Sequence, residues 1–312
     1  MSGMLDGWME RNLYFLAFDH RQSFTADFLG EAEPDGALVA TAKMLVFDGL
    51  CEAAGRGSLA GEAGILVDER YGADVARGAR AAGLLLAMPV ERSGQRELVL
   101  EYPDFEARLA AFQADYAKVL VRYNPEGDRA ANRRQLDLLR QIADRVPGSG
   151  RRLMVEVLVP PEPAQLARVD GDHGRYDSEL RPDLMVRTIG EMQDAGILPA
   201  LWKLEGIDRR EDCHRVAEQA RSAGAPSRCL ILGRGADQVA VLRWLRQASG
   251  VPGFAGFAVG RTIWWNPLRD WLDLRIERAE AVQAIAASYL RAVDAYRSAL
   301  APAPTEEQAS GS

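Results

Sequence analysis

Lysine is nearly absent from this chain. Against thirty-five arginines there are three lysines, Lys43, Lys118 and Lys203, and a bias toward arginine accounts for the ratio without accounting for where the three survive. Cysteine and histidine are scarce as well, with three of each. Cys51, Cys213 and Cys229 show neither a CxxC spacing nor neighbouring histidines, so they read as reduced thiols and give no sign of a zinc site. No apolar run approaches the ~20 residues of a membrane span, and the opening "MSGMLDGWMERN" has no apolar signal core. A soluble, cytoplasmic protein with no membrane partner is the expectation. A net charge of -7, with basic clusters only in "DRAANRR" and "GRRL", argues against a nucleic-acid partner.

What is present is alternation. The short apolar runs are "LYFLAFD" (13–19), "AGILVD" (63–68), "GLLLAM" (83–88), "AKVLVRY" (117–123), "LMVEVLV" (153–159), "ALWKLEG" (200–206), "CLILG" (229–233) and "GFAVG" (256–260). Segments with helical spacing and a closing glycine lie between them, such as "DLMVRTIGEMQDAG" and "DCHRVAEQARSAG". Eight strand–helix repeats in 312 residues point to an α/β fold of the single-domain (β/α)8 TIM-barrel type. A doubly wound open sheet shares the alternation, but no GxGxxG follows the first strand and a substantial helix follows the last. The barrel is expected over 1–300 and a disordered tail over 301–312. The long stretch "PPEPAQLARVDGDHGRYDSELRP" after the fifth strand reads as an active-site loop.

Strand side chains in a barrel alternate between lumen and helices, so polar residues inside the apolar runs are the informative ones. They are Asp19, Lys118, Arg122, Glu156, Lys203 and Glu205. Lys203 and Glu205 share the face of Leu201, leaving Trp202 and Leu204 to pack on helices. An ammonium inside a strand is costly unless it is paired or sheds its proton, and lysine, unlike arginine, can shed it. Two lysines and several carboxylates in one lumen match carbonyl chemistry through a Schiff base, in which a neutral amine attacks a ketone and a carboxyl group moves the protons. A free lysine, with a pKa of about 10.4, is almost wholly charged at neutral pH. A second ammonium and partial desolvation would lower that value by about three units, and Lys118 is the candidate for the second cation.

The last two strands end in a glycine followed by an arginine, in "LILGRGAD" and "FAVGRTIWW". Barrels often build a phosphate site from these loops. Gly233, Arg234, Gly235, Gly260 and Arg261 are its candidates, with glycines admitting the anion to the backbone and arginines adding charge. His20 stands beside Asp19 at a strand end and is a candidate pocket residue, whereas His173 lies in an acidic loop and His214 on a helix. Asp68, Glu69 and Arg70, in "VDERYGAD", either face the pocket or cap the next helix.

These residues resemble a known family, the class I aldolases of the tagatose-1,6-bisphosphate aldolase type, which include the sulfofructose-phosphate aldolases. "FDHRQSF" is similar to a first-strand DQRGS motif, with His20 where Gln is usual. "VDERYG" resembles D-x-x-Y-G, "KVLVRYNPEGD" the fourth-strand lysine segment, "VEVLV" the glutamate strand, "WKLEG" the K-x-E strand and "GFAVGRTIWW" the GRATW strand. The resemblance implies Lys203 as Schiff-base lysine, Glu156 as proton shuttle, Asp19 and Lys118 as supporting groups, and Gly260 and Arg261 at a phosphate. It implies no metal and no cofactor. The long acidic loop and His20 suggest a sugar other than tagatose bisphosphate. Further likeness, in "VPPEPAQL", "YDSELRPDLMVRTIGEMQDAGILPALWKLEG" and "VPGFAGFAVGRTIWW", is to the aldolase-like C-terminal domain of bacterial 5-dehydro-2-deoxygluconokinases. That likeness implies cleavage of 2-deoxy-5-keto-gluconate 6-phosphate, in myo-inositol catabolism, to dihydroxyacetone phosphate and malonate semialdehyde, by a chain acting alone or beside a separate kinase.

The leading expectation is therefore a lyase that cleaves a phosphorylated ketose or keto-acid to dihydroxyacetone phosphate and an aldehyde. A sugar-phosphate isomerase or epimerase could use the same carboxylates without a covalent lysine, and a non-catalytic barrel would bind the sugar phosphate and turn nothing over. Oligomeric state, a homo-oligomer included, and the choice between Glu156 and Glu205 as the working acid stay open.

Overall fold

The computed structural model describes residues 9–21, 35–298 and 300. Eight strands run in chain order: β1 (Leu13–Ala17), β2 (Ala63–Leu66), β3 (Leu85–Pro89), β4 (Tyr116–Arg122), β5 (Arg152–Leu158), β6 (Leu201–Glu205), β7 (Arg228–Leu232) and β8 (Phe254–Val259). Each pairs in parallel with the next and β8 pairs with β1, so the sheet closes into a barrel. All eight apolar runs become strands. Helices α1 (Gly36–Arg56), α2 (Glu69–Ala81), α3 (Phe105–Ala111), α4 (Arg129–Arg145), α5 (Arg181–Asp194), α6 (Arg210–Ser222), α7 (Gln238–Ala248) and α8 (Arg261–Leu272) follow the strands in turn, and α9 (Arg278–Arg297) packs across α1. The disordered tail expected over 301–312 lies outside the described residues, as do Gln22, Ser23 and Phe24 of the first-strand motif.

The two-residue period sorts the core into two layers. Tyr14, Leu16, Trp202, Leu204 and Ile231 face the helices. Leu13, Phe15, Tyr116, Met154, Leu201 and Leu230 form a separate apolar plug in the lumen. Each such side chain contributes about 1.5–3 kcal/mol by leaving water. The plug closes one end of the barrel, and the charged residues of β4, β5 and β6 come one pleat later on the same face. In register, Met154 opposes Leu201 and Glu156 opposes Lys203. The charges are thus set on the floor of an open cup rather than sealed in the core.

Several helices start on the C-terminal side of the barrel with a side-chain cap. Asp68 accepts from the backbone N–H of Tyr71 at 3.0 Å, and Asp128 and Asp237 do the same for α4 and α7. That resolves the "VDERYGAD" choice in favour of capping: Glu69 pairs with Arg108 at 2.9 Å and Arg70 stacks on Tyr71. Cys213 and Cys229 are buried free thiols and Cys51 is a half-buried one. No helix among the described residues is long and apolar enough to cross a membrane.

Candidate active site

A cavity of about 630 Å³ opens at the C-terminal ends of the strands. Asp19, His20, Lys118, Arg122, Glu156, Lys203, Gly233, Arg234, Gly235, Gly260 and Arg261 all line it. Of the candidate catalytic and phosphate-site residues, Glu205 does not, and Asp68, Glu69 and Arg70 also lie outside it.

A connected run of charge crosses its floor. Lys203 Nζ lies 2.9 Å from Glu156 Oε1, and the other oxygen of Glu156 lies 2.7 Å from Lys118 Nζ. Lys118 starts one pleat lower, opposite Met154, and its long stem carries the ammonium up to that level. It also contacts Asp19 Oδ2 at 3.0 Å and Glu91 Oε1 at 2.7 Å. Three carboxylates therefore surround one ammonium that is 2% exposed. Burial by itself favours a neutral Lys118, but attraction to Asp19, Glu156 and Glu91 outweighs it and holds the ammonium well above the ordinary lysine range. Burial likewise pushes Asp19 and Glu156 up, and Lys118 with Lys203 more than reverses it, holding both carboxyls below their ordinary values. Lys118 is thus a fixed cation, and Glu156 is an ionised base shared between two lysines. Among the described residues, no group of three or more His, Cys, Asp or Glu side chains has the arrangement of a metal site.

Lys43 belongs to the support of this floor. It lies on α1 with its side chain fully buried, pairs with Asp68, and donates to the carbonyls of Phe18 at 2.7 Å and His20 at 3.1 Å. Those carbonyls flank Asp19, so Lys43 fixes the backbone from which Asp19 reaches Lys118. All three lysines of the chain are consequently buried and paired. Nothing in helical spacing marked Lys43, because its partners come from β1 and β2. Glu91 was also missed. In "MPVERSGQ" it follows the apolar run and precedes Arg92, which reads as a solvated loop.

His20 packs edge-on against Trp264, with ring centroids 5.8 Å apart, and its Nδ1 has no hydrogen-bond partner among the described residues. Burial, with Arg261 and Lys203 nearby, lowers its pKa to about 4 against the pull of Asp19. The imidazole is neutral at neutral pH. A base whose folded pKa lies below its unfolded value, about 6.5, binds fewer protons folded than unfolded. Its stabilising contribution is full above pH 6.5 and is lost as the pH falls toward 4. In His20→Phe, the acid-side decline of the urea midpoint should therefore flatten across that window. An unchanged decline would assign it to other groups.

Across the cavity, the turns after β7 and β8 supply backbone rather than free charge. Arg234 and Gly235 both have positive φ, 49° and 72°, the centre of a tight turn closed by the Ala236 N–H on the Gly233 carbonyl at 2.9 Å. The Arg234 guanidinium is already occupied, by Asp177 at 2.6 Å and Glu205 at 3.0 Å. Gly260 begins α8 so close to β1 that an added Cβ would sit 2.1 Å from the Ala17 carbonyl oxygen. Arg261 lies over the Trp265 ring at 5.1 Å. Gly260→Ala should cost about 1–3 kcal/mol through overpacking, read as a urea midpoint shift. An unshifted midpoint would show that β8 can step away from β1.

Two expectations need correction here. Glu205 points from the lumenal face of β6 but does not reach the cavity, because Oε1 is held by Arg181 at 3.2 Å and by Arg234, and Oε2 accepts from the Val159 N–H at 2.8 Å. The long stretch after β5 does not line the cavity either. It folds into short helical turns whose Tyr176 donates to the Val159 carbonyl, while Asp177 and Arg181 clamp Arg234 and Glu205. It buttresses the turn after β7 from outside.

Similarity to solved structures extends over nearly the whole barrel at low identity. A fructose-bisphosphate aldolase from Plasmodium falciparum, solved with TRAP and a small-molecule inhibitor, superposes with a TM-score of 0.63 at 13% identity, covering 96% of this chain and 94% of that one. Cgl0159 from Corynebacterium glutamicum gives 0.57 at 18%, covering 92% and 91%. A Schiff-base-forming fructose-1,6-bisphosphate aldolase gives 0.54 at 16%, covering 88% and 93%. At these identities the likeness is one of fold. No functionally curated protein matches by sequence. A family model does match, over residues 7–300, and the chain belongs to that family, DUF2090, described as an uncharacterized protein conserved in bacteria.

Proposed function

We propose that the protein is a class I aldolase that cleaves a phosphorylated ketose or keto-acid through a Schiff base on Lys203. The observation that carries this reading is the run Lys203–Glu156–Lys118 on the cavity floor, with each contact at 2.7–2.9 Å, facing the glycine turns of β7 and β8. A fixed ammonium next to a carboxylate that also touches a second lysine is what the proton transfers of iminium formation require.

Glu156 takes a proton from Lys203, and the neutral amine adds to the substrate ketone. Glu156 returns the proton to the carbinolamine oxygen, which leaves as water and gives the iminium. A carboxylate then removes the proton of the hydroxyl on the far carbon of the bond to be broken, which becomes the aldehyde carbonyl. The C–C bond breaks, its electrons enter the iminium to give an enamine, and the aldehyde leaves. Protonation of the enamine and hydrolysis release the ketone fragment and free Lys203. The N–H groups of Gly233 to Gly235, the start of α8 and Arg261 would hold the phosphate.

The sequence likeness favours 2-deoxy-5-keto-gluconate 6-phosphate as the substrate and dihydroxyacetone phosphate as one product. The test is borohydride reduction in the presence of dihydroxyacetone phosphate, with intact mass and peptide mapping. An adduct on Lys203 is expected. Binding of dihydroxyacetone phosphate without an adduct would favour an isomerase or a binding protein.

A further inference from the structure

Glu91 has no part in the steps above, yet it is built into the cavity floor. It lies just after β3, where it forms an antiparallel bridge with Leu100. Arg21 Nη2 donates to its carbonyl at 2.7 Å, which ties the backbone down. Its Oε1 contacts Lys118. Its Oε2 is buried and has no hydrogen-bond partner among the described residues, in a residue that is 6% exposed and lines the cavity. A buried carboxyl oxygen left unpaired is a standing cost to the fold, and such costs persist where a ligand supplies the partner. Burial also pushes Glu91 above the ordinary carboxylate range, against the pull of Lys118 and Arg21.

The barrel order says which part of a substrate arrives there. The glycine turns follow β7 and β8, Lys203 stands on β6, and β3 lies diametrically opposite in the closed sheet. A substrate held by its phosphate at β7 and β8 and joined to Lys203 extends away from both, over Lys118, toward Glu91. Arg92, Ser93 and Arg122 line the cavity on that side. Before cleavage, that end is the half that departs as the aldehyde.

We infer that Glu91 contacts the aldehyde-derived half of the substrate, its unpaired carboxyl oxygen hydrogen-bonding an oxygen there and selecting aldehydes that carry a hydroxyl or acid group over bare alkyl aldehydes. The assignment rests on the aldolase reading, and a two-stage experiment separates them. Borohydride trapping with dihydroxyacetone phosphate reports the ketone half alone, and aldol addition to glyceraldehyde or to propanal reports the second half. In Glu91→Ala, kcat/KM for glyceraldehyde should fall about 10–150-fold, the range for a hydrogen bond to a charged group. That fall should exceed any fall in trapping by at least about tenfold. The preference for glyceraldehyde over propanal should shrink by a similar factor, and Glu91→Gln should recover part of it. Equal losses for the two aldehydes, or trapping that falls in step with addition, would make Glu91 a support for Lys118 and overturn the assignment. A wild-type protein that traps no ketone would remove the aldolase reading, and this one with it.

Discussion

Lys203→Met should abolish the borohydride-trapped adduct and lower kcat by about four orders of magnitude or more, as loss of a covalent nucleophile does. Methionine fills a similar volume and carries no amine. Glu156 keeps its 2.7 Å contact with Lys118, so the variant does not leave a carboxylate alone in the lumen and should remain folded, which a thermal scan checks. Lysine scarcity makes the mass measurement unusually clean. The other two lysines are buried and engaged, Lys43 by Asp68 and two carbonyls and Lys118 by three carboxylates, so any side-chain adduct maps to one of three positions. An adduct that survives in Lys203→Met, or maps to Lys118, would sink the assignment. Retained turnover without an adduct would point to isomerase chemistry.

Lys118→Met should be the most destabilising single change at the site. It removes the cation on which Asp19, Glu91 and Glu156 converge and leaves three buried carboxylates with Lys203 beside Glu156 and Arg21 near Glu91. Removing one partner of a buried ion pair costs about 3–5 kcal/mol. The pH dependence should also change sign. In the wild type, Asp19 and Glu156 have folded pKa values below their unfolded ones, so their contribution is present above about pH 4 and is lost as the pH falls further. In the variant, mutual repulsion raises the folded carboxyl values above the unfolded ones. The folded state then binds more protons, and stability should rise as the pH drops from 7 toward 5. Urea midpoints at those two pH values provide the test. Parallel behaviour of the two proteins would mean that water, rather than Lys118, screens the carboxylates.

The Lys118 result bears on more than stability. A permanently charged Lys118 keeps Glu156 ionised, and an ionised Glu156 is the group able to accept a proton from Lys203. Activity in Lys118→Met should therefore fall even at a pH where the variant is fully folded. The two readouts separate a structural cation from a catalytic one.

Much of this arrangement was legible in the sequence because it depends on period. Apolar runs of five to seven residues separated by helical segments fix the number of strands, and the two-residue alternation fixes the face. Leu201, Lys203 and Glu205 had to share one face of β6, and Lys118, Leu120 and Arg122 one face of β4. The glycine–arginine turns were legible because close approach to backbone demands glycine, as the Ala17 carbonyl does at Gly260.

Tertiary structure alone decided which of those charges meet. Lys118 and Asp19 are 99 residues apart, Lys118 and Glu91 27, and Arg234 and Asp177 57. No local pattern encodes such pairings, because they arise where loops from different strands converge over the barrel mouth. The period of β6 therefore placed Glu205 correctly on the lumenal face but could not foresee that Arg181 and Arg234 would hold it outside the cavity. For the same reason nothing local marked Lys43 or Glu91 before the fold supplied their partners. The barrel and the facing of its strand residues were readable from the chain, since both follow from short-range geometry. The closed sheet decided the connected run of charge from Lys203 through Glu156 to Lys118, since it sets β4, β5 and β6 side by side and brings the ends of β1 and β3 to the same ammonium.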